Sequence, residues 1–252
     1  MLWSENVGTL AGVSWDEVER LRTVVGAGQP QSLEAAAHGF VTAFAEAFVD
    51  AALVRVFAVM PFADVPQTEQ AFARSLGGGH PRFGDQTRVL TLLGTAGHEP
   101  SWNDRRASRG HLCIPLLDRS FVESAPMIAR LLADIDVDLA GFDDGRPIAT
   151  RKLLGGKNGM FYIPDASTAK DALDRYIIPD QIFVRKHGIR SVFGMGGAYL
   201  EGILILSIVF SKGEVPRIVV DRFPSLIVNF KMATANLVQK GLVFEPSAPL
   251  VV

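Results

Sequence analysis

The sequence predicts an α+β fold: a central antiparallel sheet flanked by helices, with the N-terminal and C-terminal helices packed together. Three observations carry this expectation. Helical patterns open the chain (residues 14–50) and close it (residues 215–238). The strand-like runs between them are broken by helical insertions and do not alternate with helices in regular βαβ units. The last two apolar runs, Ile189 to Phe193 and Ile203 to Phe210, are close enough in the chain to pair as an antiparallel hairpin.

Each element has a local reason. Ser14 with Glu17 forms a capping box, so a helix follows through Val18, Leu21 and Val25 and ends near Gly26 and Gly28. Residues 33–50 place Phe40, Phe44 and Phe48 on one helical stripe. Leu53 to Met60 is an apolar strand stopped by Pro61, with Arg55 an interruption that suggests an edge. A short helix is expected over residues 66–76, then a loop through Gly77, Gly78, Gly79, His80 and Pro81. Arg88 to Ala96 and His111 to Leu117 read as strands on either side of a polar, irregular stretch. Ser120 to Val137 reads as a helix with Met127, Ile128, Leu131, Leu132 and Ile135 along it. Residues 141–159, rich in glycine and charge, read as a loop or a hairpin. Met160 to Ile163 is a strand, residues 167–176 a helix, and Gly194 to Gly202 the turn of the terminal hairpin. Val215 to Val238 is a long helix that Pro224 kinks or restarts, and the tail from Glu245 is extended. The domain reading is a helical extension over 1–50, a domain over 51–240 and a tail over 241–252.

Composition excludes several function classes. The 252 residues are 48% hydrophobic and 21% charged, with a net charge of −2, so no basic face points to nucleic acid. Arg105, Arg106 and Arg109 lie beside Asp104 and read as a solvated loop. Cys113 is the single cysteine, which rules out a disulfide within the chain and fits a cytoplasmic setting. The first residues lack the pattern of a secretory signal, and no apolar run reaches the roughly 18 residues of a membrane span.

The catalytic motifs fail one by one. Gly194, Gly196 and Gly197 resemble a dinucleotide fingerprint, but Tyr199 stands where it needs glycine and a strand follows where it needs a helix. Gly155, Gly156 and Lys157 fail as a phosphate loop because Arg151 and Asn158 occupy its defining positions. His38, His80, His98, His111 and His187 have no metal-ligand spacing. His111 and Cys113 would share a face if both lie on a strand, yet neighbouring positions alone do not activate a thiol, so Cys113 reads as a core residue. The carboxylates Asp134, Asp136 and Asp138, and the pair Asp143 and Asp144, read as solvated charge. No metal is expected and the cofactor is left unknown.

Several segments together resemble a GAF domain. Arg88 to Gly97 resembles that family's early strand, and Phe161 to Ala166 its strand before a variable helical segment, where an aspartate commonly stands. Gly188 to Val192 resembles the lead into its paired strands, and Gly202 to Phe210 its last long strand. The nearest resemblance is to GAF-like domains of bacterial signalling proteins, through Leu53 to Phe57, Arg109 to Leu116 and Pro126 to Ile128. Related domains often carry cysteines between the first two strands, and residues 64–87 have none, which argues against redox or metal chemistry there. The resemblance implies a GAF/PAS-like cup whose sheet is the floor and whose connections form a lid. It implies Phe161, Asp165, Arg190, Phe193, Tyr199 and His111 as ligand-binding residues, with Arg190 facing an anionic ligand or Asp165. It further implies a non-catalytic sensor that binds a small molecule or a signalling-protein partner, and a homodimer formed through the apolar stripes of the terminal helices. The alternatives are a partner-binding scaffold with a filled pocket and, below that, a small-molecule hydrolase using His111 or Asp165.

Overall fold

The sheet has six strands in the order β3-β2-β1-β6-β5-β4, and every neighbouring pair is antiparallel. In the computed structural model, residues 8–139 and 160–246 are described. The loop or hairpin read over 141–159, with the motifs around Asp143 and Gly155, lies outside these residues. The strands are β1 (Ala51–Pro61), β2 (Arg88–Gly97), β3 (Cys113–Leu116), β4 (Met160–Ile163), β5 (Ser191–Ala198) and β6 (Leu204–Ser211). The helices are α1 (Trp15–Ala27), α2 (Leu33–Ala47), α3 (Gln67–Gly77), α4 (Arg119–Glu123), α5 (Pro126–Asp134), α6 (Gln181–His187), α7 (Arg217–Val220) and α8 (Pro224–Gln239). No helix among the described residues is long and apolar enough to cross a membrane.

The sheet is covered on both faces, which explains why β1, β2 and β6 read as near-continuous apolar runs. One face carries Val54, Val56, Ala58 and Met60 against α1, α2 and α8. The other carries Leu53, Phe57 and Val59 and lies under α4, α5 and α6. The terminal helices pack together as expected, with Phe40 of α2 edge-on to Phe230 of α8 at 5.6 Å. Their apolar stripes are therefore used inside the chain: Phe40, Phe44, Phe48, Ile227 and Phe230 are all buried. These side chains cannot also form the face of a second copy.

The capping box forms as read, with the Ser14 side chain accepting from the Glu17 amide. Five expectations are corrected. The expected helix over 120–137 is two helices, because Pro126 occupies the first turn of α5 and lacks the amide needed to continue α4. Residues 167–176 form turns, and the helix appears instead at α6, capped by Asp180. The hairpin turn is tighter than expected: β5 runs on through its glycines to Ala198, and Gly202, at φ +80°, makes the turn. A Cβ on Gly196 would lie 2.6 Å from Leu206, so this glycine serves close packing between strands.

The fourth correction concerns Arg55. It is not near an edge but in β1, the strand between β2 and β6, opposite Thr95 on one side and Ile208 on the other. Arg105 likewise departs from its expected place in a solvated loop. It is buried and pairs with Glu34 at 2.6 Å and Glu69 at 2.5 Å.

Candidate functional site

The face of the sheet opposite the terminal helices holds a cavity of about 470 Å³. Its floor is Leu53, Arg55 and Phe57 of β1, with Leu90 of β2 and Ile208 and Phe210 of β6. Strand alternation sends residues 53, 55 and 57 to one face, so a single register places the charge between two apolar side chains. Phe121 of α4 and Met127, Ile128 and Leu131 of α5 form one wall. The opposite wall is aromatic, with Trp102 5.7 Å from Phe183 and Phe183 edge-on to Phe210 at 5.4 Å.

Among the described residues three ionisable groups line the cavity: Arg55, His111 and Asp180. The Arg55 Nε is buried and has no hydrogen-bond partner among the described residues. Burial in this apolar setting pushes the Arg55 pKa down to about 10, so the side chain remains a cation at neutral pH. His111 stands at the mouth, open to solvent. Its crowded surroundings and then the Arg55 charge disfavour its protonation; solvent screening limits the size of that shift and leaves its sign. Asp180 is committed locally, accepting from the Phe183 amide at 2.8 Å as the cap of α6.

The residues expected at the site are dispersed. His111 lines the cavity, whereas Phe161, Asp165, Arg190, Phe193 and Tyr199 are not among its walls. Phe161 is buried in the core on the cavity side of the sheet, and Phe193 in the core on the helix side. Tyr199 is also on the helix side; its hydroxyl donates to Thr234, whose own proton goes to the Phe230 carbonyl. Asp165 holds the Ser167 amide and hydroxyl in a turn. Arg190 pairs on the surface with Glu214, so the anticipated direct pairing with Asp165 is replaced.

His111 and Cys113 do not share a face. β3 begins at Cys113, after bends at residues 111 and 112, so His111 turns to the cavity and Cys113 to the core under the helices. Burial there pushes the Cys113 thiol up to about 12. The folded protein is therefore expected to resist iodoacetamide at pH 8 and to be labelled fully in denaturant. Rapid labelling of the native protein would show that this thiol is reachable. Among the described residues no group of three or more His, Cys, Asp and Glu is placed to hold a metal ion.

Sequence reasoning missed Arg55. The available signal was its position: a strand apolar on both sides of a charge is buried on both faces, so the charge is buried too.

No family model matches the sequence, and no curated protein sequence matches it. Solved structures similar to this chain include the phycocyanobilin-bound GAF domain from a cyanobacterial phytochrome, at 11% identity and a TM-score of 0.47 over 91% of this chain and 98% of that one. Another is the GAF domain from Acinetobacter phosphoenolpyruvate-protein phosphotransferase, at 12% identity and a TM-score of 0.44 over 89% and 93%. A third is the chromophore-binding domain of an unusual bacteriophytochrome from R. palustris, at 9% identity and a TM-score of 0.46 over 90% and 62%. The family named from the sequence is also the one named for the first two of these structures.

Proposed function

We propose that this chain is a non-catalytic, cytoplasmic GAF-type sensor domain that takes a small molecule into the cavity beneath α4, α5 and α6. The observation that carries the reading is the cavity itself, about 470 Å³ with largely apolar walls and one charged group in its floor. Its size and lining match those of small-molecule sites. A scaffold with a filled pocket would place large side chains in that space, and the described residues leave it open. The hydrolase reading has less support, because no hydrogen bond joins His111 to a serine, a cysteine or a carboxylate among the described residues. A signalling-protein partner belongs to the proposal as the receiver of the bound state. Pairing of two copies through the terminal helices would have to use side chains they leave exposed, such as Trp15 and Met232.

A thermal-shift panel of metabolites, nucleotides and tetrapyrroles tests the reading. A true ligand should stabilise the fold by about 2.7 kcal/mol at a hundred times its Kd. Ile128→Trp, which fills the cavity from its half-buried wall, should abolish that shift while the unliganded protein still melts cooperatively. Shifts that survive Ile128→Trp place binding elsewhere and overturn the assignment of the site.

A further inference from the structure

We infer that the ligand is a small organic monoanion with an aromatic or similarly bulky apolar body, its carboxylate held by the Arg55 guanidinium in the floor of the cavity. The inference rests on reading this cavity as the ligand site and adds the chemical class.

The argument begins with an unanswered charge. Buried guanidinium groups are normally matched by a carboxylate or by carbonyl oxygens. Arg105 in this same chain shows the usual solution, with two buried glutamates on one arginine. Among the described residues Arg55 has no such partner: its Nε is buried without a hydrogen bond, among Leu53, Phe57 and Ile208. Fixed by the central strand of the sheet, its head is presented to the cavity instead of to the protein. A guanidinium offers a planar fork that a carboxylate meets with two parallel hydrogen bonds.

The other ionisable walls set the charge of the ligand at one. The Asp180 carboxylate accepts from the Phe183 amide at the start of α6, and His111 is disfavoured as a cation, so Arg55 is the one cation that the described walls offer a ligand. A phosphate monoester carries nearly two negative charges at neutral pH, so one arginine would leave part of that charge uncompensated in apolar surroundings. A carboxylate is neutralised by one. The rest of the cavity asks for an apolar body, and Trp102, Phe183, Phe121 and Phe57 offer ring faces and edges to it. Benzene occupies a cavity of roughly 150 Å³, so about 470 Å³ admits one or two rings with a short acidic arm.

Paired probes test this. Phenylacetate, cinnamate and indoleacetate are titrated calorimetrically against the full chain, each beside its neutral amide, with Trp102 fluorescence as a second readout for the two non-indole pairs. At least one acid should bind, and its amide should bind about tenfold to a hundredfold more weakly, as for the loss of a charge-assisted hydrogen bond. Arg55→Met should remove the difference between acid and amide. Arg55→Lys, which keeps the charge and loses the fork, should retain a reduced preference for the acid and covers the case in which the Met variant fails to fold.

Amides that bind as well as acids overturn the anionic class and leave the cavity standing as a ligand site. A preference for the acid that survives Arg55→Met overturns Arg55 as the group that holds the carboxylate. If other molecules in the thermal-shift panel stabilise the protein and no acid binds, the class falls alone. If nothing in either panel binds, the ligand reading falls with it.

Discussion

Arg105→Met is expected to cost about 3–5 kcal/mol of stability, read as a lower urea midpoint at unchanged slope. Arg105 is 7% exposed, and Glu34 and Glu69 are 4% and 3% exposed. Its Nε donates to Glu34 at 2.6 Å, and its Nη1 donates to Glu69 at 2.5 Å and to the Leu92 carbonyl at 3.3 Å. Removing this cation strands two buried carboxylates, for which the half-exposed Arg106 supplies only one remaining contact, to Glu34 at 3.1 Å. The same cluster anchors the end of the chain. Glu34 accepts from the Glu245 amide at 3.0 Å, and the Arg105 guanidinium lies 5.7 Å from the centre of the Phe244 ring. Amide exchange at residues 242–245 should accelerate together with the loss of stability. Combining Arg105→Met with Glu34→Gln and Glu69→Gln should recover part of the loss, since neutral amides need no counter-charge. A change below about 0.5 kcal/mol would be the behaviour of a solvated surface arginine and would sink the buried-cluster account.

The contrast between Arg105 and Arg55 shows what the sequence can and cannot express. Helix starts with local causes were legible: Ser14 with Glu17, and the stripe of Phe40, Phe44 and Phe48. The strands were legible as apolar runs because both sheet faces are covered, and Leu53 to Met60 and Ile203 to Phe210 hardly alternate. The two arginines were misread because their surroundings come from distant chain. Glu34 and Glu69 lie 71 and 36 residues from Arg105, and the two strands flanking Arg55 end near residues 97 and 211. Strand order decides whether a charge is at an edge or in the middle, and strand order is not a local property. The site suffered in the same way. Only His111 among the expected residues faces the cavity, since the walls depend on where α5 and α6 start, and Pro126 and Asp180 set those starts. The helical period running through Met127 and Leu131 concealed the first. The second lies just after Pro179, beyond the stretch over 167–176 where a helix is expected.

Phe44→Ala should be the other large loss, again about 3–5 kcal/mol. Its ring is fully buried at the centre of the layer between the sheet and the terminal helices. It lies 5.1 Å from Phe48, 5.5 Å from Phe223 and 6.2 Å from Phe40. Phe223 in turn stacks on Phe193 of β5 at 5.2 Å, so the cluster joins α2, the residue preceding α8 and the sheet in one packed unit. Held between β1 and β2 on one side and α1 and α8 on the other, α2 cannot move to fill the space left by the ring, which puts the cost at the upper part of the usual range. Phe44→Leu should lose less, because most of the volume is kept. The measurement also separates two roles for the helical stripe. With the ring packed inside one chain, the urea midpoint of Phe44→Ala should fall by the same amount at every protein concentration. If instead the stripe joined two copies, the loss would appear as dissociation in sedimentation, and the midpoint would rise with concentration. The packing of Phe40, Phe44 and Phe48 against Phe223 and Phe230 requires the first result.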